Sequence, residues 1–266
     1  TFSSSSILNR YTDIYSEEQQ SFISSIRKAI GSADVKTVVE GLKDLKVLVI
    51  GETIIDQYVF CEALGKSGKE PVLVLRDLNT EEYLGGAGAI TNHLAEFCSS
   101  ITLVSALGEL GAYEDFIKAN LAKNIRFEFI NKSNSPTIVK KRFIEHVTNS
   151  KTLGVYSIND ETLSEKDEKK LISIILKEIR TYDLVIVADY GHGFISEKVA
   201  KEIVKNAPYI ALNAQINAAN SSYHTMDKYE KVECVIINEG ELRHGFRNRD
   251  GDLDDLINVL AHNLRA

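Results

Sequence analysis

Five short, almost wholly apolar segments recur along the chain, and they limit its possible folds more than any other feature. Their sequences are KVLVI (46–50), ITLVSAL (101–107), DLVIVA (183–188), YIAL (209–212) and ECVII (233–237). Runs of this length without polar alternation are typical of parallel strands buried on both faces. Amphipathic segments with helical spacing lie between the runs, for example from Leu171 to Ile179. This βαβ order predicts an α/β fold with a parallel sheet.

Two further stretches show alternating apolar and polar residues instead. They run from Val72 to Tyr83 and from Pro136 to Tyr156, where Val139, Lys141 and Phe143 lie two positions apart. Alternation with a period of two predicts strands with one exposed face. We expect these strands, at 62–83 and about 136–156, to form a small sheet that acts as a lid or as a dimer surface.

The first 44 residues have a helical pattern. Residues 1–6 are predicted to be irregular, and the apolar spacing in 7–43 predicts two helices separated by residues 31–34, with Asp34 a candidate N-cap. The chain starts without a methionine, and a helical pattern runs close to its last residue. We therefore expect a fragment of a longer polypeptide in which residues 1–44 are a helical linker.

The composition restricts the classes of function. A length of 266 residues suits one large domain with an appendage, and a formal net charge of -7 argues against nucleic acid as the main partner. Cys61, Cys98 and Cys234 are odd in number and far apart, which predicts neither a disulfide framework nor a zinc site and indicates a cytoplasmic protein. No apolar run approaches the roughly 20 residues of a membrane span, so no membrane partner is expected.

Each apolar run is followed by polar residues or glycines that a core would not require. Ligands of open parallel sheets bind beyond the carboxyl ends of the strands. Surface loops are polar in any protein, so one such loop is weak evidence, but five together favour a binding site. The residues concerned are Gly51, Glu52 and Asp56; Gly108 and Glu109; Asp189, Tyr190, His192 and Gly193; Asn213 and Gln215; and Asn238 and Glu241.

The segment LGGAGAITNHL (84–94) places small residues at the start of a helix. Paired glycines let backbone amides approach a ligand closely, although a flexible turn before a helix would have the same composition. A dinucleotide-binding fingerprint is disfavoured because this segment does not directly follow one of the long apolar strands. A Walker loop is disfavoured because Phe60 stands where the first glycine before Gly65-Lys66-Ser67 is needed.

The motifs GETIID (51–56), GGAG (85–88), TIVKKR (137–142), DYGHG (189–193) and NEGE (238–241) occur in an order that resembles the PfkB carbohydrate kinases. The resemblance is greatest to the heptose-phosphate kinase branch, the kinase half of a bifunctional heptose kinase/adenylyltransferase. It implies a ribokinase-like fold at residues 45–266, with three α/β/α layers, a mostly parallel central sheet and a small β lid. It also implies phosphorylation of a hydroxyl of a sugar or sugar phosphate, with ATP and Mg²⁺ as cofactors.

The resemblance assigns sugar contacts to Asp56, Gly85 and Gly86, and a carboxylate suits this task because its oxygens accept from neighbouring hydroxyls. Asp56 acting only as a cap of the following turn is the alternative. Lys140 and Arg142 alternate with Lys141, so both can face a substrate phosphate, or the charged run can be a solvated lid face.

Asp189 is implied to bind the sugar or order water, whereas a histidine such as His192 in a glycine-flanked loop is more often structural. The resemblance also implies that Asn213, Asn238 and Glu241 fall in the motifs that bind the nucleotide, and that Glu241 positions Mg²⁺ directly or through water. Asn238 as a simple helix N-cap is the alternative.

Two segments depart from the family pattern: Ala89 replaces its usual Asn, with Asn92 nearby, and Asn213-Ala214-Gln215 replaces the Asp-Pro-Lys of many relatives. The sugar contacts near Ala89 and the identity of the substrate are therefore left open.

The Gly-Ala-Gly-Asp segment that supplies the family's catalytic base and anion hole does not occur in the sequence. We therefore expect no catalytic base among these residues and an inactive fragment whose base lies beyond Ala266. The alternative is a non-catalytic sugar-binding or dimerisation module, and a third hypothesis, an NAD-binding domain, is disfavoured. The opening TFSSSS resembles the end of a cytidylyltransferase-type domain, which would make a fused nucleotidyltransferase a partner of this domain.

Overall fold

The computed structural model describes residues 15–30, 35–216 and 226–264. The chain divides into two compact units, Thr1–Lys43 and Asp44–Ala266. The described part of the first unit contains helices α1 (Glu17–Ile30) and α2 (Val35–Gly41), which lie on either side of residues 31–34 as the apolar spacing predicts. The predicted irregular segment 1–6 and the predicted cap Asp34 lie outside the described residues.

The second unit contains the strands and the remaining helices. Its described strands are β1 (Lys46–Gly51), β2 (Thr53–Lys66), β3 (Leu73–Gly85), β4 (Ser100–Gly108), β5 (Ile125–Lys132), β6 (Val139–Glu145), β7 (Ser150–Ser157), β8 (Leu184–Asp189), β9 (Ile210–Ala214) and β10 (Cys234–Ile236). Its described helices are α3 (Gly86–Ala95), α4 (Glu114–Asn120), α5 (Glu165–Glu178), α6 (Glu197–Asn206), α7 (Glu239–Gly245) and α8 (Leu253–Asn263).

Six strands form a central sheet in the order β10-β9-β8-β1-β4-β5, and every pairing in it is parallel. The chain builds outward from β1 to β4 and β5, and then returns to the other side of β1 with β8, β9 and β10. The strand order therefore reverses between β1 and β8, which is the place where open α/β sheets bind ligands.

Helices cover both faces of this sheet. On one face α5 and α6 contribute Leu171, Ile175, Val199 and Ile203 to a core that includes Leu48 and other strand residues. On the other face α3 packs against β1 and β4. The α/β/α layering with a parallel central sheet confirms the predicted ribokinase-like fold class.

Two features of the central sheet differ from the sequence prediction. β5 was not predicted, because the exposed Arg126 and Glu128 interrupt its apolar residues. β10 was predicted as a doubly buried strand, but Ile236 is exposed, since β10 is an edge strand that, among the described strands, pairs only with β9.

A second sheet has the order β3-β2-β6-β7 and contains both stretches with alternating residues. β2 starts two residues after β1 ends, and β6 starts soon after β5 ends, so both insertions leave from the carboxyl edge of the central sheet. β2 and β6 pair in parallel, with Asp56 opposite Lys140 and Tyr58 opposite Arg142. The pairing joins two segments that are far apart in sequence into one sheet.

Candidate functional site

Glu52 connects the ends of β1 and β8 at the point where the strand order reverses. Its side chain is buried, and its Oε2 and Oε1 accept hydrogen bonds from the backbone N–H groups of Tyr190 (2.9 Å) and His192 (3.0 Å). The loop after β8 is therefore held against β1 by one carboxylate. Glycine is required beside it, because a Cβ at Gly51 would collide with the backbone of Ala188 on β8.

A second buried carboxylate, Asp189, lies close to Glu52. Its Oδ2 accepts from the Tyr229 hydroxyl and the Lys228 ammonium, each at 2.6 Å, and its Oδ1 accepts from the N–H of Gly191 at 3.1 Å. Burial and the charge of Asp189 raise the pKa of Glu52 from 4.5 to about 7, against the opposing effect of its backbone donors. The Asp189 oxygens are thus already bonded to protein donors.

The raised pKa of Glu52 predicts that the protein loses stability as the pH rises from about 4.5 to about 7. In this window the folded state retains a proton that the unfolded state releases, so each rise in pH favours unfolding, by a total of about 3 kcal/mol. Urea unfolding measured across this range tests the prediction. Glu52→Gln should flatten the pH dependence, and Glu96→Gln, at an exposed position, should leave it unchanged. A Glu52→Gln protein with the full decrease would contradict it.

Asp56, Gly85 and Gly86, to which the resemblance assigns sugar contacts, lie together at this edge. Ile54 of β2 pairs with Gly85 of β3, and a Cβ at Gly85 would collide with Oδ2 of Asp56. Gly86 has a φ of 58°, and a Cβ there would collide with the carbonyl of Glu52. The two glycines therefore allow the start of α3 to lie directly against the Asp56 carboxylate and the end of β1.

Lys140 and Arg142 share one face of β6 and both lie near Asp56. Arg142 forms an ion pair with Asp56, and its guanidinium lies over the rings of Tyr58 and Tyr156 at 5.6 and 5.9 Å. Lys140 is buried, its pKa is lowered chiefly by that burial, and within residues 15–30, 35–216 and 226–264 its ammonium has no hydrogen-bond or ion-pair partner. The alternative of a fully solvated charged run does not hold for Lys140.

The loop after β8 also contacts two side chains that the sequence analysis did not single out, Lys132 and Asp160. Nδ1 of His192 is 2.6 Å from Oδ1 of Asp160, and Lys132 donates to the carbonyls of Asn159 (2.6 Å) and His192 (2.9 Å). His192 and Lys132 are both buried. Lys132 is the last residue of the unpredicted strand β5, which explains why its role was missed.

The predicted nucleotide residues lie at the ends of β9 and β10. Asn213 donates from its amide to the carbonyl of Ile236 at 2.8 Å. Asn238 is the N-cap of α7 and forms a capping box with Glu241, in which Asn238 Oδ1 accepts from the N–H of Glu241 at 2.9 Å and Glu241 Oε2 accepts from the N–H of Asn238 at 2.8 Å. The other Glu241 oxygen accepts from the N–H of Ile216 at 3.2 Å. The N-cap alternative for Asn238 is therefore present in the structure.

The hydrogen bonds of Glu241 limit its ability to coordinate Mg²⁺ directly. Both Glu241 oxygens already accept a backbone N–H, and the described residues contain no cluster of three His, Cys, Asp or Glu side chains that could hold a metal ion. The residues present therefore do not fit direct coordination of Mg²⁺. Asn92 lies near Ala89, the position at which the family usually has Asn. Its side chain donates a hydrogen bond to the carbonyl of Asn120 and accepts one from the N–H of Ala122, which joins α3 to the loop after α4.

The fold and the strand-end residues define a ribokinase-like α/β protein with its candidate site at the reversal of strand order. Residues 44–265 match the model of the pfkB family carbohydrate kinases. The chain belongs to this family, and the sequence resemblance is confirmed. No described helix is both long and apolar enough to cross a membrane.

Among the curated relatives, the bifunctional protein HldE of Campylobacter jejuni strain RM1221 is 28% identical over 210 residues, which are 78% of this chain and 43% of that protein. The bifunctional protein HldE of Aliarcobacter butzleri strain RM4018 is 26% identical over 221 residues, 82% of this chain and 45% of that protein. The chain thus spans less than half the length of these relatives.

Two solved structures show the fold. Phosphofructokinase-2 from Escherichia coli in complex with fructose-6-phosphate has a TM-score of 0.61 at 15% identity, over 82% of this chain and 69% of that one. Arabidopsis thaliana ribokinase complexed with ribose and ATP has a TM-score of 0.56 at 17% identity, over 84% and 70%. At these identities the likeness concerns the fold alone.

Proposed function

We propose that this domain binds a sugar phosphate at the carboxyl edge of β1 and β8 and is part of an ATP-dependent kinase that phosphorylates a hydroxyl group of that sugar. The observation that carries the proposal is the Asp56–Arg142 pair beside Gly85, with the ammonium of Lys140 on the same side. The cluster combines an acceptor for hydroxyls with two cations for a phosphate.

The burial of the cluster supports a specific ligand over a solvated surface. Arg142 and Asp56 side chains are 21% and 25% exposed, so both are held in place yet accessible. A buried ammonium such as that of Lys140, which finds no partner among the described residues, is unfavourable, and an anionic ligand would supply a partner. A sugar that carries a phosphate therefore fits this site better than a neutral sugar.

Within this class we propose a heptose phosphate as the substrate, on the resemblance of the five motifs to heptose-phosphate kinases. The relatives named bifunctional support a further proposal, that the domain works beside a fused nucleotidyltransferase domain in a cytoplasmic protein. Asn213 and Asn238 are the proposed nucleotide contacts, with Glu241 acting on Mg²⁺ through water. Bound MgATP would supply the phosphoryl group, and no residue of this sequence is assigned as the base.

A thermal-shift panel tests the proposed function, because a ligand that binds only the folded state raises the unfolding temperature. Sedoheptulose 7-phosphate and fructose 6-phosphate should raise it by several degrees at millimolar concentration, and the unphosphorylated sugars should raise it less. Phosphoryl transfer is measured in parallel as ADP release. ADP release would exclude the non-catalytic sugar-binding module, whereas binding without ADP release is expected of a fragment that lacks the base. No shift with any sugar or sugar phosphate would contradict the proposal.

We also propose that the second sheet forms a homodimer surface. Every residue of β7 is exposed, and Leu153 and Val155 are large apolar residues on it, 55% and 51% exposed. Clusters of exposed apolar residues are typical of interaction surfaces. Analytical ultracentrifugation should show a dimer that Leu153→Glu with Val155→Glu converts to a monomer. A wild-type chain that sediments as a monomer at high concentration would contradict this surface.

A further inference from the structure

His192 carries a buried nitrogen that the fold leaves without a partner. The residue is 1% exposed, and its Nε2 has no hydrogen-bond partner among the residues that the structure describes. A buried polar atom without a partner loses its hydrogen bonds to water without compensation, at a cost of about 1–3 kcal/mol. Such an atom in a loop at the carboxyl edge of the sheet, where open α/β sheets bind ligands, points to a position that a ligand can complete.

The other ring nitrogen determines what kind of partner Nε2 can take. Nδ1 of His192 is 2.6 Å from Oδ1 of Asp160, and a carboxylate can only accept, so Nδ1 carries the proton. Burial lowers the pKa of His192 against the opposing effect of Asp160, with Lys140 and Lys132 acting in the same direction as burial, and the lowered pKa keeps the ring neutral at pH 7. In a neutral ring with a protonated Nδ1, Nε2 is an acceptor. The missing partner is therefore a hydrogen-bond donor.

The residues that interact with His192 belong to the candidate site. Its backbone N–H donates to Glu52, at the end of β1, and the charge of Lys140 is near enough to affect its pKa. The charges of Asp56, Glu52 and Asp160 in turn act to raise the pKa of Lys140. The ammonium of Lys140 can only donate hydrogen bonds, and the unprotonated Nε2 of His192 can only accept one. A hydroxyl group can accept from the first and donate to the second.

We propose that Nε2 of His192 accepts a hydrogen bond from a hydroxyl group of the sugar, with Asp160 as the positioning residue that fixes the ring. This inference rests on the proposed function and adds a specificity contact to it. A site built to bond a hydroxyl rejects ligands that lack the group, because its own polar atom is then left unpaired. His192 thus selects sugars with a hydroxyl at this place.

Nitrogen NMR of the full chain labelled with ¹⁵N-histidine tests the acceptor directly. The chain has six histidines, and the His192 signals are assigned by their absence in His192→Gln. At pH 7 His192 should be neutral with the proton on Nδ1, and saturating sedoheptulose 7-phosphate should shift the Nε2 signal toward that of a hydrogen-bonded nitrogen. A proton on Nε2, a charged ring, or an Nε2 signal that the sugar leaves in place would overturn the proposal.

Calorimetric titration with the same sugar phosphate separates the roles of the variants. His192→Leu should weaken binding about tenfold, corresponding to one lost hydrogen bond, whereas His192→Gln, which keeps an acceptor, should stay within about threefold of wild type. His244→Leu, at an exposed position, is the matched control. Asp160→Ala, which removes the acceptor of the Nδ1 proton, should weaken binding and let the proton move to Nε2.

The outcomes distinguish this inference from the proposed function. If wild type binds and His192→Leu binds equally well while remaining folded, the hydroxyl contact is wrong and the sugar site stands. If wild type binds none of the sugar phosphates, the proposed function fails and this contact fails with it.

Discussion

Asp56→Ala is expected to reduce the affinity for a sugar phosphate by about 100-fold or more. The carboxylate is the group in the cluster best placed to accept from sugar hydroxyls, and hydrogen bonds to a charged group contribute about 1.5–3 kcal/mol each. Its removal also frees Arg142, which is held in place by the ion pair with Asp56 and by two aromatic rings. Isothermal titration calorimetry with sedoheptulose 7-phosphate measures the effect.

The matched control is Asp77→Ala, which removes an exposed carboxylate from the neighbouring strand β3 and should not change the affinity. Asp56→Asn keeps the shape and one acceptor, so it should lie between wild type and Asp56→Ala. Equal affinities for wild type and a folded Asp56→Ala protein would remove Asp56 from the sugar site and leave its ion pair as a purely structural contact.

Gly193→Ala is expected to destabilise the fold by about 3 kcal/mol. Gly193 has a φ of 77°, which costs a residue with a Cβ about 1–2 kcal/mol, and its Cβ would collide with the backbone carbonyl of Glu161. The backbone N–H of Leu163 also donates to the carbonyl of Gly193 at 3.2 Å. Equilibrium unfolding in urea measures the loss of free energy.

The same substitution should also weaken sugar binding, because the loop that it displaces carries Asp160 toward His192. Gly68→Ala is the control, since Gly68 is exposed and has open space around its Cβ position, and its effect should stay within about 0.5 kcal/mol. A Gly193→Ala protein as stable as Gly68→Ala would show that the two loops are not in close contact.

The buried strands were predictable because each is a continuous apolar run, and a run of that kind has few other uses in a protein of this composition. β1, β4 and β8 lie within one or two residues of the predicted segments. β5 could not be found in this way, because an edge strand with one covered side tolerates residues such as Arg126.

The candidate site was only partly predictable. Asp56, Gly85 and Gly86 lie together because β2 and β3 pair as one antiparallel hairpin, whereas the sequence grouped them only through the family resemblance. The contacts of Glu52 with Tyr190 and His192 depend on β8 lying beside β1, a pairing across more than a hundred residues that no local pattern encodes. Whether these residues bind a sugar remains a prediction, which the variants above test.

The parallel pairing of β2 with β6 has a mechanical consequence. Asp56 of β2 and Lys140 of β6 lie opposite each other in a register that backbone hydrogen bonds fix. The four strands β3-β2-β6-β7 are paired side by side in one sheet that is separate from the central sheet. A swing of this sheet about its connections to the central sheet would carry Asp56, Lys140 and Arg142 as one rigid body. The three charges would then keep constant mutual spacing, so their arrangement would not depend on how far the sheet swings.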